Sequence, residues 1–132
     1  MAVTIKQKVK FSLPPNKLYR FYMDSKLHSE LIGSKVVVSS EIGSNFSAFN
    51  GDLKGKMLYI KSNKIIAQTW RGHSWGKDQL DSILILVFNE AESGTELEMI
   101  HANVPEEEAE GIKKGWSEYY WTPWRNYIRK KK

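Results

Sequence analysis

The sequence predicts an α+β fold: a curved, seven-stranded antiparallel sheet wrapped around one long C-terminal helix, with two short helices between strands 1 and 2. Three observations carry this expectation. Val3, Ile5, Val9 and Phe11 share odd positions and are separated by Thr4, Lys6, Lys8 and Lys10, the period of a half-buried strand. Between Lys35 and His101, six short β-rich runs follow one another too closely to hold crossover helices, so hairpins must join them. From Pro105 onward the period becomes that of a helix with one aromatic face.

Ser12-Leu13-Pro14-Pro15 ends the first strand, because a residue before proline is pushed toward extended geometry and Pro15 suits a first helical position. Leu18, Phe21 and Tyr22 then share a helical face. Asp24 can cap a second short helix carrying Leu27, Leu31 and Ile32, which Gly33 stops. The six β-rich runs are Val36 to Ser40, Asn45 to Phe49, Leu53 to Ile60, Lys64 to Arg71, Leu80 to Asn89 and Thr95 to Asn103. Gly43-Ser44, Asn50-Gly51-Asp52, Ser62-Asn63 and Glu92-Ser93-Gly94 punctuate them as turns.

The last element runs from Pro105 to about Arg129, ~37 Å at ~1.5 Å per residue. Glu106, Glu107 and Glu108 in its first turn and Arg125, Arg129 and Lys130 in its last turns complement the helix dipole. Ile112, Trp116, Tyr119, Tyr120, Pro123 and Tyr127 form one stripe. Gly111 and Gly115 each weaken the helix by up to ~1 kcal/mol, and an interior Pro123 costs ~3 kcal/mol or kinks it, so burial of the stripe must supply the stability. A helix laid across a half-buried sheet is a helix-grip arrangement, whose consequence is a cavity between the two that is either open or filled.

Composition agrees with a single domain spanning residues 1–132, near the usual ~100–150 residue size. With 41% hydrophobic and 12% aromatic residues the chain can bury a core, which excludes general disorder. There is no cysteine, hence no disulfide, thiolate nucleophile or sulfur-based zinc site, which fits a reducing, cytoplasmic location. The longest apolar runs, Ile83 to Phe88 and Val36 to Val38, fall far short of the ~20 residues that cross a bilayer, and Met1 to Lys10 lacks the apolar core of an export signal. Of the formal charge of +5, Arg129 to Lys132 supply four, so the body stands at +1 and carries no footprint for nucleic acid.

Trp70-Arg71, Trp75, Leu86-Val87-Phe88, Gly94-Thr95-Glu96-Leu97, Val104-Pro105 and Gly115-Trp116-Ser117-Glu118-Tyr119-Tyr120, in that order, resemble the C-terminal domain of the activators of the heat-shock protein 90 ATPase and their single-domain relatives in the START-like (SRPBCC) superfamily. Phe49 to Gly55 also resembles the upstream hairpin of that domain. The resemblance implies the START-like, birch-pollen-allergen-like helix-grip fold, a small apolar or amphipathic ligand or a heat-shock chaperone as partner, and no cofactor. Two departures bear on it: 132 residues leave no room for the activators' N-terminal domain, and Pro123-Trp124 replaces the smoother apolar helix of the family.

If the strands alternate, the cavity-lining set is Met57, Tyr59, Gln68, Trp70, Leu86, Phe88 and Met99 from the sheet, with Trp116, Tyr119, Tyr120 and Pro123 from the helix. Gln68 is either a hydrogen-bonded core residue or a group that orients a ligand. On the same alternation Arg71 faces outward or sits at the rim, and suits a surface salt bridge. Trp121 and Trp124 lie off the stripe on an ideal helix; exposed, they are partner-contact candidates, unless the Pro123 kink turns both into the core. His28, His73 and His101 have no metal spacing, no G-x-S-x-G elbow is present, and the inward set offers an enzyme only Gln68, tyrosines and His101. The sequence therefore supports a non-enzymatic ligand-binding protein, with a chaperone-regulating module as the alternative and a cyclase- or hydrolase-type enzyme behind both.

Overall fold

A computed structural model describes residues 1–131; Lys132, the last member of the basic cluster, lies outside them. Strand β1 (Ala2–Phe11) is followed by helices α1 (Pro15–Met23) and α2 (Ser25–Ile32), then β2 (Asn45–Ala48), β3 (Leu53–Lys61), β4 (Ile65–Gly72), β5 (Ser82–Ala91) and β6 (Gly94–Pro105). The six strands form one sheet in the order β1-β6-β5-β4-β3-β2, every neighbouring pair antiparallel. The C-terminal helix crosses its concave face as three segments: α3 (Glu106–Trp116), a π-helical turn (Ser117–Trp121) and α4 (Thr122–Lys130).

Among the described residues the sheet has six strands, not seven. Val36 to Ser40 makes only a single bridge to the sheet, Val37 with Ser47. Serine hydroxyls of α2 take the backbone groups on either side of that bridge: Ser29 Oγ accepts from the Val36 N–H (2.9 Å), and Ser25 Oγ accepts from the Val38 N–H (2.9 Å) while donating to the Val38 carbonyl (3.0 Å). A segment satisfied by side chains on one edge has no free ladder to extend.

Alternation holds along β4, β5 and β6, where Ile66, Gln68, Leu84, Leu86, Phe88, Leu97, Met99 and His101 are at most 1% exposed. It fails in β3. The register of β3 against β4 slips between Met57, opposite Gln68, and Tyr59, opposite Ala67. A bulge there reverses the parity, so Met57 is fully buried while Tyr59 is 52% exposed on the convex face. Gly94 closes the β5–β6 hairpin at φ 151°, where a Cβ would stand 2.1 Å from the Phe11 carbonyl oxygen; only glycine lets β1 end so close to this turn.

The π turn answers the problem posed by Pro123. The Thr122 N–H donates to the Ser117 carbonyl, five residues back, which widens the helix just before a residue that has no N–H and whose ring would crowd the carbonyl four residues before it. Widening also advances the register. Trp116 and Trp121, five apart, stack with centroids 5.5 Å apart and planes 17° from parallel. Both Trp121 and Trp124 therefore turn into the core, where they are 4% and 0% exposed. Neither offers a surface to a partner, which corrects the reading of an ideal helix.

The parity change predicts a contrast within one strand. Met57→Ala should destabilise the fold by ~2–5 kcal/mol, as a fully buried methionine does, whereas Tyr59→Ala should cost less than ~1 kcal/mol as a surface change. Urea unfolding of the two variants distinguishes this pattern from the regular strand, in which the costs would be similar.

Candidate functional site

A groove of about 380 Å³ lies between the N-terminal half of the C-terminal helix and the rim of β3 and β4. On the sheet side it is lined by Phe49, Asp52, Leu53, Trp70 and Gly72, and on the helix side by Glu108, Gly111, Ile112, Gly115, Trp116, Tyr119 and Tyr120. Its volume falls within the ~300–1,000 Å³ typical of small-molecule pockets.

Each wall follows from local sequence. The turn after β2 holds Phe49 at φ 51° and Asn50 at φ 59°, left-handed backbone that costs a residue with a Cβ roughly 1–2 kcal/mol. The Phe49 ring rests edge-on against Tyr119, centroids 5.3 Å apart, and this contact helps offset the strain. Asp52 is fixed through its main chain, the His73 N–H donating to its carbonyl at 2.8 Å. On the helix, Gly111 and Gly115 expose backbone to the groove, and a Cβ added to Gly111 would meet nothing within 4 Å. Arg71 shapes the adjoining loop: its guanidinium pairs with Asp81 at 3.1 Å and donates to the carbonyls of Trp75, Gly76 and Gln79.

Behind the groove the polar side chains are bonded to one another. The indole N–H of Trp116 can only donate, so His101 Nδ1, 3.2 Å away, accepts. Nε2 of His101 therefore carries the proton and donates to Ser82 Oγ (2.8 Å), whose own hydrogen goes to the Trp70 carbonyl (2.7 Å). The second network is built the same way. His28 Nδ1–H donates to the Tyr22 carbonyl (2.8 Å), leaving Nε2 to accept from the Tyr120 hydroxyl (2.9 Å), while the Tyr22 hydroxyl donates to Gln68 Oε1. Gln68 is thus a hydrogen-bonded core residue. Burial pushes His101 down to about 3 and His28 down to about 4, and raises the tyrosine hydroxyls of Tyr22 and Tyr120 above their ordinary range. Both imidazoles are neutral at physiological pH.

Of the residues expected to line a cavity, the structure brings Trp70, Trp116, Tyr119 and Tyr120 to the groove. Met57, Gln68, Leu86, Phe88 and Met99 are instead buried in the core, at most 1% exposed. Tyr59 lies outside for the reason given above, and Pro123 is half-buried in the first turn of α4, away from the groove. Sequence reading missed Phe49, Asp52, Gly72, Glu108, Gly111, Ile112 and Gly115 as lining residues. The one available signal was two glycines in a helix that gains nothing from them.

The sequence profile of the family described as "Activator of Hsp90 ATPase homolog 1-like protein" matches residues 12–125. An uncharacterised protein of Schizosaccharomyces pombe is 32% identical over 119 residues, which are 90% of this chain and 35% of that protein. The mouse activator of 90 kDa heat shock protein ATPase homolog 1 is 28% identical over 118 residues, 89% of this chain and 34% of that protein. The chain thus spans about a third of the length of these relatives. Among solved structures, a Plasmodium falciparum protein described as an HSP90 activator superposes with a TM-score of 0.81 at 24% identity, over 92% of this chain and 91% of that one.

The two buried histidines set the acid stability. In the unfolded chain each returns to about 6.5, so below that value the unfolded state binds more protons than the folded one. Stability is then complete above pH ~7 and falls as pH drops through 6.5 toward 4 for His28 and 3 for His101, with a limiting slope of ~2.7 kcal/mol per pH unit for the two together. Urea unfolding between pH 7 and pH 5 measures it; a flat profile would contradict two buried neutral imidazoles.

Proposed function

Given that the chain belongs to the family of Activator of Hsp90 ATPase homolog 1-like proteins, we propose that it is a non-enzymatic helix-grip protein that binds a small apolar or amphipathic molecule in the groove between the sheet rim and the C-terminal helix. The observation that carries this reading is the helix wall. Gly111 lowers helix stability by up to ~1 kcal/mol relative to alanine, yet its missing Cβ would touch nothing, so fold packing does not require it. What the glycine leaves is open backbone facing aromatic rings.

The buried polar groups support the non-enzymatic part. With its proton on the nitrogen facing Ser82, His101 has no lone pair to act as a base toward that hydroxyl, and Ser82 is itself 0% exposed. No helix among the described residues is long and apolar enough to cross a membrane. A cytoplasmic location is proposed from the cysteine-free composition.

A chaperone-regulating role is the second reading, favoured by the described activity of the mouse relative. Because Trp121 and Trp124 are buried, a chaperone contact falls to the sheet rim and not to that end of the helix.

Protein-observed NMR against fatty acids, sterols, polyphenols and amines should find a binder that shifts the signals of Trp70, Trp116 and Tyr119. Gly111→Leu should abolish that binding while raising the stability of the fold by about 0.5–1 kcal/mol through helix propensity. Binding that survives Gly111→Leu, or a library with no binder, would refute the reading. For the second reading, ATP-dependent capture of heat-shock protein 90 by the protein and a raised ATPase rate are expected; no capture with an unchanged rate rules it out.

A further inference from the structure

Resting on the groove reading above, we infer that the groove selects organic cations: a positively charged ammonium carried on an apolar body. Among the described residues, the only charged side chains lining it are the carboxylates of Asp52 and Glu108. Among the described residues neither forms an ion pair, the two that occur being Arg20–Asp24 and Arg71–Asp81. Glu108 is not needed to complement the helix dipole, because Glu106 and Glu107 occupy the same first turn and are exposed, whereas Glu108 is half-buried at the groove.

The remaining polar character of the groove points the same way. Phe49, Trp70, Trp116, Tyr119 and Tyr120 line it, and the quadrupole of an aromatic ring is negative over its face, which attracts an ammonium and repels a carboxylate or phosphate. An anionic amphiphile would face both the ring electrons and two unpaired carboxylates, with no lysine or arginine among the described lining residues to receive it. A cationic one meets complementary charge at the mouth and apolar surface within. This local preference opposes the formal charge of the protein, +5, whose longer-range pull on anions is screened beyond ~10 Å at 0.1 M salt. Selection of a cation by a basic protein therefore reports the groove and not the net charge.

The test is a matched series below micellar concentration: decyltrimethylammonium, its neutral carbon isostere and decanoate, titrated into the full chain while the Trp70 and Trp116 indole signals are followed by NMR. The cation should bind about fivefold or more tightly than the neutral isostere, and decanoate should bind weakest. In the double variant Asp52→Asn/Glu108→Gln, the cation should fall to the affinity of the neutral isostere, which itself should be unchanged. Equal or tighter binding of the isostere or decanoate overturns the inference while leaving the groove reading standing. So does a cation preference that survives in the double variant. If none of the three perturbs the indoles, both fall together.

Discussion

The structure depends on one local event in the C-terminal helix. Pro123 cannot continue a regular helix without losing a hydrogen bond and crowding the preceding turn, and the π turn at Ser117–Trp121 absorbs this by spacing its bond over five residues. An extra residue per turn rotates everything that follows. Trp116, Tyr120, Trp121 and Trp124 all end on the side that faces the sheet, each at most 4% exposed. The rings then pack in a continuous series: Trp116 on Tyr120 and Trp121, Trp121 on Phe11 and Trp124, and Trp124 on Phe21. Rotation also carries the Trp121 indole N–H to Gln7 on β1 (2.7 Å), tying the helix to the first strand.

From this follow both the core and the groove. Aromatic side chains occupy the middle of the helix–sheet interface, and the polar groups caught among them are paired, apart from the Trp124 indole N–H, the one buried side-chain polar atom among the described residues without a partner. Such a donor costs roughly 1–3 kcal/mol, a measure of how strongly ring packing dominates here. Past the N-terminal side of the π turn the helix changes character: Gly111 and Gly115 replace bulky residues, the sheet rim stands back, and space remains. One helix thus fills half of its contact and leaves the other half open.

Much of this was legible in the sequence because it rests on short-range rules. Alternation in β1 and β4–β6, the Pro15 start of α1, the Asp24 cap, whose carboxylate accepts from the Leu27 N–H, and the left-handed Gly33 at the end of α2 each depend on neighbouring residues. The misreadings arise where a single residue changes a period. The bulge beside Met57 is invisible because Leu58 and Tyr59 continue an acceptable strand, and only their register against β4 shows that the face has switched. Val36 to Ser40 has strand composition, but hydroxyls from another element satisfy it. Pro123 announced a distortion without its direction. The groove was least legible: Asp52 reads as a turn residue and Glu108 as a dipole partner, and only the fold sets them on either side of the same opening.

Placing the aromatic residues by a register shift is the claim on which the filled core and the displaced groove both stand. It is measured most directly by nuclear Overhauser contacts of the indole N–H protons in the free protein. A contact from the Trp121 indole to the Gln7 side chain and one from the Trp116 indole to the His101 ring are expected, with slow solvent exchange at both. A Trp121 indole in fast exchange with water and without contact to β1 would mean that the helix runs in regular register, and would contradict that claim.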